Sequence, residues 1–339
     1  MTTSRKKIRI AVPYAEGMLK VPNQNFWGLA EALWNTKHND CEVIKLHESE
    51  LLTRDDYDVI FFVRRKWFNT YERCLAGNKY VVLWVDDVHW FHWRVPYAPA
   101  KMVHRFERAD IIFVAYLHQF CLWKPYKRFI NKVVWLPWGV PDSVFENSMP
   151  WQDRKDKVLL SGMCSVQYPL RRRMFRYAKS NKNCNIDILN HPGYARTNVQ
   201  SGITGRDFYQ LLGGYKGAIA TTGSTRMRIR RSIDYTVSKY FEIPGCGCVP
   251  FLEETPDLAE LGFVDELNYI SINRWNFKKK MAFINSREAK GVAMAAQELV
   301  RSRHTVRHRA YLALDKIAEH LQGKTHQGQI ESLMIMLIT

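Results

Sequence analysis

The chain has 339 residues, 46% of them hydrophobic and 13% aromatic, with 11 Trp. That is too long for one ordinary core, gives enough apolar surface for two, and excludes a disordered chain. The formal net charge is +17, divided as +5 over residues 1–150 and +12 over residues 151–339, so an anionic partner is expected: a nucleotide diphosphate, a nucleic acid or an acidic membrane surface.

No apolar run reaches the roughly 18 residues that a spanning helix needs. The N-terminal Met1-Thr2-Thr3-Ser4-Arg5-Lys6-Lys7 leads directly into a strand pattern without the apolar core of a signal peptide. The expected location is the cytoplasm. The seven Cys include no C-x-x-C pair, which argues against a disulfide framework. Cys246 and Cys248, either side of Gly247, read as small residues in a tight turn rather than as metal ligands.

In the first half, apolar runs of strand length lie at 8–14, 41–46, 58–63, 80–85, 110–115 and 133–138, with helical segments at 24–37 and 99–109. Near-continuous apolar strands alternating with helices imply a parallel sheet covered on both faces. A loop carrying Pro137, Gly139, Pro141 and Pro150 interrupts this pattern, which then restarts. Strands are expected at 157–162, 184–189, 216–221 and 248–252. Helices are expected after Pro169, at about 232–243, and near 275–285, 287–302 and 307–321. The implied organisation is a Rossmann-like domain over 1–148, a second over 149–325, and a tail over 326–339. Two such domains would face a cleft with the carboxyl ends of their sheets, where open α/β folds bind ligands.

Several residue groups carry chemistry. In the segment 234–254, Asp234, Lys239 and Glu242 are expected on one helix that runs into Gly245-Cys246-Gly247 and a short strand. A carboxylate accepts hydrogen bonds from vicinal hydroxyls, a cation fixes phosphate, and a glycine turn lets backbone amides approach an anion closely. Pro169 suits the first turn of a helix that carries Arg171, Arg172 and Arg173, where helix start and guanidinium both favour anions. Arg226, Arg228, Arg230 and Arg231 follow a Ser/Thr/Gly loop as either a basic patch or a solvated one. Asp86, Asp87 and His89 end the strand 80–85 and suit a general base or a hydroxyl-binding group. The neighbouring Trp84, Trp90, Phe91 and Trp93 are sugar-stacking or core residues. Gly17 follows the first strand as a close-approach residue, and the absence of G-x-G-x-x-G there argues against a dehydrogenase.

These residues resemble the C-terminal domain of GT-B glycosyltransferases (glycosyl transferases group 1), particularly the group that includes the CgeB-like spore-maturation proteins. The carriers are Lys239-Tyr240-Phe241-Glu242 with its small-residue turn, Pro256-Asp257-Leu258 through Gly262-Phe263, Asn268-Tyr269-Ile270, His304-Thr305 and Arg309. Tyr215-Lys216 and the segment Leu136-Pro137-Trp138-Gly139-Val140 add to it. The resemblance implies an α/β GT-B fold and transfer of a hexosyl or pentosyl group from a nucleotide-diphosphate sugar to a hydroxyl acceptor. In the family the Glu matching Glu242 binds the ribose, and an Arg matching Arg171 or Arg172 meets the diphosphate. Asp234 stands where many retaining members have the first Glu of E-x7-E, so retention is expected with Asp in its place. No cofactor and no obligatory metal are implied. The expected acceptor is a saccharide, glycan or small molecule. The alternatives are DNA, as in phage DNA glucosyltransferases, or no catalysis at all in a basic binding protein of degenerate fold. The apolar tail 330–338 is read as docking on the N-terminal domain or touching a membrane.

Overall fold

The computed structural model describes residues 6–14, 24–51, 53–63, 79–86, 90–92, 95–97, 100–122, 124–162, 164, 168–189, 205–222 and 234–323. In chain order the elements are β1 (Ile8–Tyr14), α1 (Gln24–Asn35), β2 (Cys41–His47), β3 (Val59–Phe62), β4 (Tyr80–Val85), β5 (Trp90–His92), β6 (Val95–Tyr97), α2 (Ala100–Arg108), β7 (Ile111–Val114), α3 (Leu117–Leu122), α4 (Lys124–Lys127) and β8 (Val133–Trp135). They continue with β9 (Lys155–Ser161), α5 (Pro169–Ser180), β10 (Ile186–Leu189), α6 (Arg206–Gly213), β11 (Tyr215–Ala220), α7 (Lys239–Gly245), β12 (Val249–Glu253), β13 (Ile270–Ile272), α8 (Phe277–Lys280), α9 (Ala289–Arg303) and α10 (Val306–Leu321).

Two compact units result, one from Met1–Pro137 with Val306–Thr339 and one from Trp138–Thr305. The boundary read from sequence near 149 leaves α10 with the second domain; in the structure α10 packs with the first unit. Its buried residues Arg309, Ala310, Ala313, Leu314, Ile317 and Ala318 recur at helical spacing, and its main helical neighbour is α1. Arg309 Nε donates to the carbonyl of Pro137 at 2.9 Å, tying the helix to the end of the unit's chain.

The first unit holds a six-stranded sheet in the order β2-β1-β3-β4-β7-β8, parallel throughout. All four residues of β3 and of β7 are buried, as expected for strands covered on both faces. An Asp stands before each of these two strands: Asp58 accepts the Arg9 amide at 2.8 Å and Asp110 the Val81 amide at 2.7 Å. Each carboxylate thus satisfies an amide at the open end of a ladder and fixes register. The short β5–β6 hairpin was not apparent in the sequence pattern.

The second unit holds a five-stranded parallel sheet in the order β10-β9-β11-β12-β13. The chain runs outward from β9 to β10, then crosses back to β11 and on to β13. The order therefore reverses between β9 and β11, which makes that gap the topological switch point of the unit. One face is filled from α5, α8 and the start of α9, with Leu170, Met174, Phe277, Met281, Ile284 and Val292 packed on Val158, Leu160, Ile219 and Phe251. Phe251 is wholly buried in a central strand, so Phe251→Ala should destabilise the chain by about 3–5 kcal/mol. Urea denaturation should show this as a lower midpoint at an unchanged slope.

Candidate functional site

At the switch point β9 ends in Ser161-Gly162 and β11 in Thr221-Thr222. Gly162 has φ +102°, a conformation that frees the chain to turn away from the sheet edge without a Cβ. A Cβ there would lie 2.9 Å from Arg171 Nη1 and 3.0 Å from Lys239 Nζ. Two cations from separate elements therefore converge on one backbone position. Arg171 is the third residue of α5, which opens on Pro169, and it is only 5% exposed. Its guanidinium lies 4.4 Å from the Tyr168 ring centroid, and Nη2 donates to the Thr221 carbonyl at 3.3 Å. Lys239 opens α7 and donates through Nζ to Ser161 Oγ at 2.8 Å. The arginine thus bridges the ends of β9 and β11, and the lysine is held on β9.

The electrostatics follow from crowding. Burial, and then the adjacent Arg171 guanidinium, push the Lys239 ammonium down to about 7, against the opposite pull of Glu242. Burial also pushes Arg171 down. Glu253, at the end of β12, is pushed up to about 7 by burial and then by Asp234; the Thr222 amide and Arg171 act the other way. The Thr222 amide donates to Glu253 Oε2 at 3.1 Å, and Thr222 Oγ1 accepts the Tyr235 amide at 2.9 Å. Two close cations, with Glu242 and Glu253 acting on them electrostatically, form an arrangement chemically suited to an anion.

The residues named from sequence divide into distinct groups. Arg171 and Lys239 come together; Arg172, the next residue on α5, is half-buried and it is Arg171 that reaches Gly162. Glu242 lies one turn after Lys239 in α7, is 7% exposed, and acts electrostatically on Lys239 and Tyr209. Asp234 precedes α7 rather than lying on it. The helix expected from about 232 begins only at Lys239, because the residues before it are held by neighbours: the Tyr235 amide by Thr222, and the Thr236 hydroxyl by Thr255 at 2.6 Å.

The glycine turn does not have the phosphate-cradling form expected of it. The amides of Cys246, Gly247 and Cys248 donate to the carbonyls of Glu242, Pro244 and Ile243. The carbonyls of Gly245 and Gly247 are taken by Gln297 and Arg154. A Cβ on Gly245 would lie 2.4 Å from Val144 Cγ1, so the residue is small for packing. Cys246 and Cys248 are wholly buried, and burial pushes both thiols up, Cys248 to about 12. His304 donates from Nε2 to the Leu261 carbonyl at 2.8 Å and stacks on Phe263, which is a core role.

In the first unit Asp86 is half-buried just past β4. Trp84 is core: it is buried, and its indole donates to the Leu136 carbonyl at 3.2 Å. Gly17, Asp87, His89, the arginines at 226, 228, 230 and 231, and the tail 330–338 lie outside the described residues. Ser161, Gly162, Thr222 and Glu253 escaped the sequence reading. Their signal was present: Ser-Gly, Thr-Thr and Glu-Glu each follow directly on an apolar parallel strand, at the edge where such sheets bind ligands.

A family model described as glycosyl transferase-like matches residues 171–315. Among solved structures, Anabaena HepE in complex with UDP and glucose gives a TM-score of 0.61 at 9% identity, covering 92% of this chain and 99% of that one. A glycosyltransferase from Rickettsia africae ESF-5 gives 0.60 at 11% identity, covering 93% and 99%. An alpha-glucosyltransferase in complex with UDP and a 13-mer DNA gives 0.58 at 12% identity, covering 92% and 100%. No curated protein matches the sequence. The matched family segment contains Arg171, Lys239, Glu242 and Glu253, and the chain as a whole has the GT-B glycosyltransferase fold with a glycosyl transferase-like segment over residues 171–315.

Proposed function

We propose that the protein transfers a sugar from a nucleotide-diphosphate sugar to a hydroxyl acceptor. The observation that carries this reading is the convergence of Arg171 and Lys239 on Gly162 at the switch point of the second unit. Arg171 and Lys239 hold the diphosphate, Glu242 accepts the ribose hydroxyls, and Asp234 stands on the sugar side. Arg172 supplies further positive charge at the start of α5. The complex with UDP and glucose in a structure of the same fold supports the donor class. As the glycosidic bond breaks, negative charge grows on the leaving diphosphate, and two fixed cations in a site of low polarisability stabilise it without a metal. Retention is supported by the Asp234–Glu242 spacing. The acceptor, a saccharide or glycan, is bound by the first unit, with Asp86, Asp87 and His89 supplying its general base or hydroxyl contact and Gly17 as a close-approach residue. A screen of UDP-, GDP-, ADP- and dTDP-sugars by thermal shift and hydrolysis tests the reading; binding of none of them removes it.

A DNA acceptor is the second reading, favoured by the net charge of +17 and by the DNA complex of a structure with this fold. Duplex contact at six or more phosphates would make affinity fall about 10³-fold or more between about 50 and 200 mM salt. A mobility shift that persists at physiological salt would select it over the glycan.

The pH dependence of nucleotide binding tests the cation pair. Lys239 is neutral in the free protein above about 7, whereas a bound diphosphate favours the ammonium, so binding takes up a proton there. Affinity for UDP should fall as pH rises through 7, by up to about tenfold per pH unit. Glu253 gains negative charge over the same window and acts in the same sense. Lys239→Met should reduce the slope and Lys239→Met with Glu253→Gln should abolish it. An unaltered slope would leave Lys239 out of the site.

Two further outcomes are expected. Glu242→Ala should weaken donor binding by about 1–3 kcal/mol, measured by calorimetry with UDP, because a charged acceptor is lost. Transfer should persist in EDTA; its loss on chelation and return with Mn²⁺ or Mg²⁺ would overturn the metal-independent mechanism.

A further inference from the structure

The second unit carries a basic and aromatic surface separate from the anion site. Trp275 is 73% exposed, in the short loop between β13 and α8. The loop is fixed: Asn273 Oδ1 accepts the amides of Trp275 at 2.8 Å and Asn276 at 3.0 Å, while Asn276 Oδ1 accepts the Asn273 amide at 2.7 Å. Phe277, buried next to it, packs edge-on against Tyr177 of α5 with centroids 5.5 Å apart. The indole is therefore held out toward solvent by a braced loop.

Two cations stand beside it, and others lie on the same elements. The Arg274 guanidinium is 4.4 Å and that of Arg173 6.0 Å from the Trp275 ring, and Lys278 Nζ is 4.9 Å from the Tyr177 ring. Arg173 and Arg176 stand three apart on α5, and Lys278 and Lys279 follow on α8, all exposed. Among the described residues none of these five is in a salt bridge, whereas Lys280 beside them is paired with Glu266 at 2.6 Å. The patch therefore has uncompensated positive charge around one apolar ring.

We propose that this patch docks the protein on an anionic lipid bilayer, with Trp275 seated among the headgroups and Arg173, Arg176, Arg274, Lys278 and Lys279 over acidic lipid. An indole with an apolar body and one N–H donor is suited to the interface, and clustered Lys and Arg supply about 1 kcal/mol each near an acidic leaflet. A nucleic-acid duplex offers phosphates but no surface for an exposed indole. A single strand is bound by successive stacking platforms along a basic groove, and here one exposed ring stands beside two guanidinium groups. Arg171, two residues before Arg173, faces Gly162 instead, so the patch and the anion site are distinct.

The test is co-sedimentation of the full chain with phosphatidylcholine vesicles and with vesicles that also contain phosphatidylserine. Binding is expected only with phosphatidylserine, and it should fall as salt rises. Lys278→Glu with Lys279→Glu should weaken it at least about fivefold for each cation lost, and Trp275→Ala should weaken it at unchanged charge. Circular dichroism melting and the UDP thermal shift should stay at wild-type values in these exposed variants, which separates loss of docking from unfolding and from failure of the donor site. The proposal is overturned if the wild type ignores phosphatidylserine, if the variants bind vesicles like the wild type, or if a single-stranded oligonucleotide is the ligand lost in the variants.

Discussion

Two positive charges held against one glycine are the constraint on which the second unit turns. Like charges about 5 Å apart repel by about 3 kcal/mol at an effective dielectric of about 20, and both Arg171 and Lys239 have also given up water. Nothing in packing alone favours that arrangement. It persists because each cation is hydrogen-bonded to the end of a strand, Arg171 to Thr221 and Lys239 to Ser161, and because Glu242 and Glu253 act electrostatically on them from α7 and β12. The strain falls on the lysine, whose proton is the one readily lost. The diphosphate proposed for this site would replace the missing water and relieve the repulsion.

Sheet order decides where this happens. Because β9 has β10 on one side and β11 on the other, its following loop and that of β11 diverge to opposite sides of the sheet. The gap between them admits side chains that arrive from elsewhere: Arg171 from the helix after β9, Lys239 from the helix after β11. A Cβ on Gly162 would crowd the tips of both side chains, and its φ of +102° favours glycine. The same parallel architecture in the first unit places Asp86 at the carboxyl end of β4, while α10 returns from the second unit to pack on α1.

Much of this was legible in the sequence because it depends on local patterns. Alternating apolar strands and helices reported both sheets, and Lys239-Tyr240-Phe241-Glu242 reported the helix of the site. What failed depended on tertiary contacts. Asp234 was expected on one helix with Lys239 and Glu242, yet hydrogen bonds to Thr222 and Thr255 hold the stretch after it outside α7. Gly245 and Gly247 looked like a phosphate turn, but Val144 and Arg154, about a hundred residues earlier in the chain, fill the space around them. The glycine that faces the cations is Gly162; its place after an apolar strand is legible in the sequence, but its neighbours Arg171 and Lys239 are set by the folding of α5 and α7 around it.

The run Arg171-Arg172-Arg173 shows why composition and spacing could not resolve the function of charge here. An α-helix turns by about 100° per residue, so three consecutive arginines at the start of α5 face three environments. Arg171 is buried at the switch point on Thr221, Arg172 is half-buried, and Arg173 is exposed beside Trp275. The first is fixed, desolvated and one of a pair, the conditions under which a cation discriminates among anions. The last is solvated and, among the described residues, in no salt bridge, the condition under which a cation adds to a diffuse field that salt screens. One short segment therefore places one arginine in a buried cation pair and another on a solvated basic surface, two physically different environments for the same side chain.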